Sequence, residues 1–262
     1  MTDPIPPKIR AEIEERLARI QNEEGVRPLL AIESGSRAWG FPSPDSDFDV
    51  RFIYVRPRED YLALRPVRDV IERPIVDEID LSGWDVRKAL GLMLKHNAVV
   101  SEWIESPILY RETDPFIARL AELGDRFFDP RGYARHYASL GEQSAKRWLR
   151  EGQSVTIKKY FYALRPAMAI RCLRIDASQR PPMRLQDLMA KCDLPAGLAE
   201  QINELVAIKA TTREAGASKG IAELDAFIAD ELTRADDVPS RADPDGYERE
   251  ANALFLDLVD QG

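Results

Sequence analysis

The residues best equipped for chemistry lie in one run, Glu33 to Arg51. A Gly-Ser-Arg triplet (Gly35, Ser36, Arg37) is followed by Gly40, a short loop, and then Ser46-Asp47-Phe48-Asp49. The apolar stretch Leu29 to Ile32 before the triplet reads as a buried strand, and Asp47 to Val55 alternates polar and apolar residues before turning wholly apolar, as a second strand would. Side chains on a strand alternate faces, so this reading puts Asp47, Asp49 and Arg51 on one face and Phe48, Val50 and Phe52 on the other. Two carboxylates side by side repel unless a cation lies between them. Oxygen-rich pairs suit Mg²⁺ or Mn²⁺, and Mg²⁺ commonly binds through one or two carboxylates together with substrate phosphates. A Gly-Ser turn lets backbone N–H groups approach phosphate oxygens closely. Either half alone is commonplace. Strand, Gly-Ser turn, loop and Asp-x-Asp strand in that order supply both halves of a nucleoside triphosphate site.

This constellation resembles the nucleotidyltransferase superfamily that includes DNA polymerase beta, poly(A) polymerases and the minimal nucleotidyltransferases. Gly35, Ser36, Asp47 and Asp49 match its G-S and D-x-D signature position for position. The run Ile79 to Leu90, then Asn97 and Glu102 to Tyr110, and finally Val155 to Pro166 are similar to the predicted RNA-ligase-associated nucleotidyltransferases, so the resemblance touches most of residues 25–210. It implies a third carboxylate on a neighbouring strand. Asp80, near the end of the strand-like Ile75 to Leu81, is the candidate. Asp85 precedes a helical pattern and reads as a cap. The resemblance further implies that Asp47, Asp49 and Asp80 are catalytic and hold Mg²⁺ or Mn²⁺, while Gly35, Ser36 and Arg37 bind the triphosphate. The expected reaction moves a nucleoside monophosphate from the triphosphate to an acceptor hydroxyl, on an RNA end, a protein or a small molecule, with release of pyrophosphate. Two other classes compete: a catalytically inactive nucleotide- or RNA-binding module of the same fold, and a metal-dependent phosphohydrolase. The second lacks the histidines such sites gather, since the chain has only His96 and His136.

A second place of interest is Ser154 to Met168. At 100° per residue Ile157, Phe161, Leu164 and Met168 form an apolar stripe that reads as core. Lys158, Tyr162 and Arg165 stand at i, i+4 and i+7 on an adjoining face. Two cations flanking an aromatic ring would suit phosphate oxygens and a nucleobase, so these three are expected to bind nucleotide. Between Arg131 and Arg174 the chain has ten Lys or Arg and two acids in a protein of net charge −8. That segment is a candidate surface for a triphosphate or a short polyanion. The overall negative charge argues against a protein built mainly to grip long nucleic acid.

The elements that must position these residues follow from periodicity. A helix is expected over residues 9–22, then strands near 28–34, 47–56 and 75–82. Helices then dominate: 86–96, 98–105, 114–124, 131–151, 155–174, 184–191, 196–214, 218–234 and 247–259. Strands first and helices later predict an α+β polymerase-beta-like palm, a small mixed sheet with helices, plus a helical C-terminal domain. The expected division is a catalytic domain, 1–112, and a helical domain, 113–262, that contributes to nucleotide or acceptor binding. The chain of 262 residues is 44% hydrophobic and 31% charged, ordinary for a globular protein. It has no apolar run near the ~20 residues needed to cross a bilayer. Its start lacks the order of a secretory signal, and Cys172 and Cys192 have no metal spacing and read as buried thiols. No membrane association and a cytoplasmic location are expected.

Overall fold

The computed structural model describes residues 5–112, 115–146, 155–212, 217–218 and 220–261. The helix α1, Pro7–Glu24, starts with proline in its first turn and ends at Gly25, whose φ of 62° lets its N–H return to the Gln21 carbonyl. Its buried Ile13, Leu17 and Ile20 lie on one stripe. The strands β1 (Arg27–Glu33) and β2 (Phe48–Val55) are joined through a short helix α2 (Gly35–Trp39), where a turn was expected. After α3 (Arg58–Leu62) come β3 (Val70–Glu72) and β4 (Ile79–Asp85). The helices α4 (Val86–Met93) and α5 (Ala98–Ile104) follow, then β5 (Leu109–Glu112). These strands form one sheet in the order β3-β4-β2-β1-β5. Only β2 and β4 run parallel, which makes the sheet mixed, as expected.

Two edge strands, β3 and β5, were not foreseen, and the strand expected over 75–82 begins later. Asp77 and Glu78 have φ of 54° and 62°, so the chain turns there before β4 begins. Ile75 and Val76 are left exposed by that turn.

The sheet has two covered faces. On one, α1 packs with Ala31, Val50, Phe52, Tyr54, Ile79 and Leu81. On the other, Leu29, Leu30, Ile32, Ile53 and Val55 pack with α4, α5 and α6 (Phe116–Arg126). The remaining elements are α7 (Pro130–Ala145), a two-residue strand β6 (Val155–Thr156), α8 (Ile157–Ile175), α9 (Leu185–Lys191) and α10 (Ala196–Thr211). They are followed by β7 (Ala217–Ser218), paired with β6, then α11 (Ala222–Leu232), a 3₁₀ turn (Ala235–Asp237) and α12 (Pro244–Asp260). The helix α8 is the axis of a second core, with Phe161, Leu164, Ala167 and Met168 fully buried against α7, α9, α10 and α11. Pro166 sits inside α8 without ending it.

The last helix does not stay with that second core. Tyr247, Ala251, Leu254, Leu258 and Val259 of α12 join the sheet's own cluster, and Arg27 donates to the Leu258 carbonyl at 2.8 Å. The expected helix ends at 147–151 and 213–214, and the joint at 113, lie outside the described residues. Among the described residues no helix is long and apolar enough to cross a membrane.

Candidate active site

Gly35 sets the geometry. Its φ is +58°, and a Cβ there would stand 1.9 Å from Asp49 Oδ2. Only glycine lets the start of α2 lie against the Asp49 carboxylate. The backbone on either side is pinned to match. Ser34 N–H donates to the Asp49 carbonyl at 2.8 Å, and Asp49 N–H donates to Glu33 Oε1 at 3.0 Å. Glu33 is fully buried; its other oxygen accepts the Tyr110 hydroxyl at 2.7 Å. Burial pushes the Glu33 carboxyl up to about 7, against the lowering effect of the Tyr110 bond. The sequence marked Glu33 only as the residue before a turn, so its role as a brace for Asp49 was missed.

Asp49 lies beside Asp80 in the parallel register of β2 and β4, two residues before the pair Arg51 and Ser82. The pleat therefore brings Asp49 and Asp80 together and delivers Arg51 next to them. Arg51 Nη2 donates to Asp80 Oδ2 at 2.7 Å and to Asp49 Oδ1 at 3.2 Å, and Nη1 donates to the Asp80 carbonyl at 2.9 Å. Burial raises the Asp49 carboxyl above the usual range; Arg51 opposes that, Asp80 and Asp47 add to it, and Lys158 pulls it down. Asp85 instead caps α4, accepting the Arg87 N–H at 2.8 Å and the Tyr61 hydroxyl at 3.0 Å.

Asp47 lies beside the other two rather than on the strand, and its charge still acts on Asp49. The strand begins at Phe48, so Asp47 lies in the loop before the pleat starts. Among the described residues no group of three His, Cys, Asp or Glu side chains is gathered closely enough to hold a metal ion. The Asp49–Asp80 pair still fits a divalent cation. It offers two carboxylates from adjacent strands, held close enough that the charge of Asp80 acts on Asp49. Hard cations that take one or two carboxylates and complete their shell with phosphates match that donor set.

The Gly-Ser loop is built from hydroxyls. Ser36 Oγ donates to Ser46 Oγ at 3.0 Å, and Ser46 Oγ also accepts the Ser43 N–H at 2.8 Å. Lys209 of α10, only 3% exposed, donates to Ser43 Oγ at 3.4 Å. Nothing in the sequence tied Lys209 to this loop. Arg37 is turned inward: Nε donates to the Asp47 carbonyl at 3.2 Å and Nη2 to the Ser46 carbonyl at 2.7 Å, with the guanidinium over the Phe48 ring. These bonds hold the loop in shape.

The three residues of α8 separate. Lys158, at its N-terminal end, is close enough for its charge to act on Asp49. Tyr162 is 40% exposed, and its ring meets Trp39 edge-on at 5.2 Å. Arg165 departs from the accessible placement expected of it. It is 6% exposed, pairs with Glu102 at 3.2 Å, donates to the Met183 carbonyl at 2.8 Å and lies over the Trp39 ring. The helix is buried on nearly every side, so a position one step off the apolar stripe is still interior. Much of the basic segment is likewise committed. Arg135 pairs with Asp236, Arg171 and Arg174 pair with Glu231, and Arg131 donates to the Val238 carbonyl. Arg147 and Arg150 lie outside the described residues.

Comparison with known proteins places this arrangement. A family model described as the RNA repair pathway DNA polymerase beta family matches residues 9–257. The uncharacterized protein YcgL of Bacillus subtilis (strain 168) is 37% identical over 255 residues, covering 97% of each chain. Among solved structures, a nucleotidyltransferase-like protein from Exiguobacterium sibiricum 255-15 overlaps 93% of this chain and 78% of its own, with 11% identity and a TM-score of 0.32. That overlap is too loose to bear on the site. With the Gly-Ser helix set against Asp49 and the family match running over nearly the whole length, this chain belongs to the RNA repair pathway DNA polymerase beta family.

Proposed function

We propose that the protein is a nucleotidyltransferase that moves a nucleoside monophosphate from a nucleoside triphosphate to an acceptor hydroxyl. The reading rests on one observation above others: the in-register Asp49–Asp80 pair at the foot of a Gly-Ser helix. The family description favours an RNA end as acceptor over a protein or a small molecule. Residues 1–112 would carry the catalytic residues, with α6 and α12 completing their core, and the other helices of 113–262 would help hold nucleotide or acceptor.

Asp49 and Asp80 would hold Mg²⁺ or Mn²⁺, with Asp47 the further carboxylate whose charge reaches them. When bound, the ion would neutralise charge on the triphosphate and the entering oxygen. The N–H groups at the start of α2, and Ser36 with its serine neighbours, would bind the terminal phosphates. Lys158 would add a charge-assisted contact to the triphosphate. Tyr162 beside Trp39 offers an aromatic surface for the base. The acceptor oxygen bonds to the α-phosphorus while the α,β-bridging oxygen leaves with its electron pair in pyrophosphate. The acceptor proton passes to the Asp80 carboxylate and on to solvent.

Incubation with α-labelled triphosphates, Mg²⁺ or Mn²⁺ and RNA or protein acceptors tests this. Label transfer with pyrophosphate release is expected. Orthophosphate release without label transfer, or binding without turnover, would replace the reading with a hydrolase or a binding module.

A further inference from the structure

We infer that Arg51 is the built-in cation of the Asp49–Asp80 pair, and that a divalent ion enters between these carboxylates only by displacing its guanidinium. The inference rests on the proposed divalent site and concerns how that site is loaded.

One nitrogen, Nη2, contacts both carboxylates, at 3.2 Å and 2.7 Å. The other, Nη1, is held by the Val50 and Asp80 carbonyls at 3.0 Å and 2.9 Å. All four acceptors belong to β2 and β4, so the guanidinium lies across the strand pair where an ion bridging the two carboxylates would lie. Its placement follows from sequence: Arg51 is two residues beyond Asp49 on the same pleated face, and Ser82, opposite Arg51, is too small to fill that place. A guanidinium cannot be deprotonated in a protein, so it leaves only by moving. Ion and guanidinium would repel at such range, and the pair cannot be fully satisfied by both.

Two consequences follow. Divalent ions alone should bind weakly, because the carboxylates already have a partner. A triphosphate changes that balance. Its oxygens complete the ion's shell and give the released guanidinium a new acceptor, a contact arginine makes well. Metal and triphosphate would then enter as a coupled pair, each raising the other's affinity by the same factor.

Titration with Mn²⁺ alone, followed by electron paramagnetic resonance of the free ion, tests the inference without nucleotide or turnover. Arg51→Gln and Arg51→Met should each bind Mn²⁺ about tenfold or more tighter than the natural protein, as expected from removing one adjacent charge. Arg51→Lys, which keeps the charge, should stay weak. The double variant Asp49→Asn with Arg51→Gln should lose the gain, which locates it at this pair. Two variants guard against loss of fold in one, and melting curves identify any that fails. Equal or weaker Mn²⁺ binding in the folded Arg51 variants overturns the inference alone. Mn²⁺ bound by none of the proteins overturns it together with the divalent site.

Discussion

The paired strands β2 and β4 and the helix α8 both present charged side chains at regular spacing, yet the two use them in opposite ways. On the strands Asp49, Arg51 and Asp80 are partly exposed, and each finds its partner in the same strand pair. On the helix Arg165, Arg171 and Arg174 find acids far along the chain, Glu102 and Glu231, and three of these five groups, Arg165, Glu102 and Glu231, are buried with their charge. An open row of charge can exchange its partners for a ligand. A sealed row can only hold the protein together. Lys158, at the end of the same helix, belongs with the open set because its charge reaches Asp49.

Substitutions can break this contrast, and the largest effect is expected in the open row. Asp49→Ala and Asp80→Asn should each lower transfer by more than about 100-fold while melting curves stay normal, since they remove charge stabilisation rather than packing. Near-natural activity in either would dissolve the distinction. In the sealed row Arg165→Ala should cost about 3–5 kcal/mol of stability, the penalty for leaving a buried charge without its partner. Chemical denaturation reads this directly, and a normally stable variant that loses triphosphate binding would move Arg165 to the open set.

Smaller effects sharpen the boundary. Lys158→Ala should lose a contact of about 1.5–3 kcal/mol, seen as a tenfold or greater drop in triphosphate affinity measured with Ca²⁺, with little change in melting temperature. Asp85→Asn should cost at most about 1 kcal/mol and keep activity, as a cap does. The last test is one of pH. His136 accepts the Ala98 N–H through Nδ1 at 3.2 Å, and burial lowers its pKa, with Glu102 opposing. The folded chain thus favours neutral His136, a contribution present above the ordinary histidine pKa and lost as pH falls through the depressed one. Stability should decline with acidification below about pH 6.5, and His136→Asn should flatten part of that slope.

What could be seen in advance divides along the same line. The period of two on a strand fixed which face Asp49 and Arg51 share, and the Gly-Ser pair marked a place of close backbone approach, expected toward phosphate and found also toward the Asp49 carboxylate. Asp85 as a cap was equally local. Arg165 could not be placed that way, because α8 is buried on nearly every side and leaves periodicity little solvent face to find. Lys209 falls in line with Leu198, Ile202 and Leu205 on the buried side of α10, but its partner Ser43 is far away in the chain and leaves no local signal. The contacts of Arg37 could not be foreseen for a related reason: its partners are backbone carbonyls of a loop, and loop geometry leaves no pattern in residue types. Asp47 falls just outside its strand: the alternation extends one residue ahead of the strand's start. The strands β3 and β5 are three and four residues long, too short for alternation to register.

The return of α12 to the sheet has a consequence for how the chain comes to fold as it is made. Leu29 and Leu30 are synthesised early, but part of their cover, Tyr247 to Val259, is synthesised nearly last. Until then the apolar face of the nascent sheet is covered only in part, by α4, α5 and α6, and closing so long a loop is entropically slow to arrange. The sheet with its aspartate pair is thus expected to reach full stability only after the helices around α8 have been made. A fragment ending at residue 112 would keep the signature residues and lack α6 and α12, and it should aggregate rather than fold.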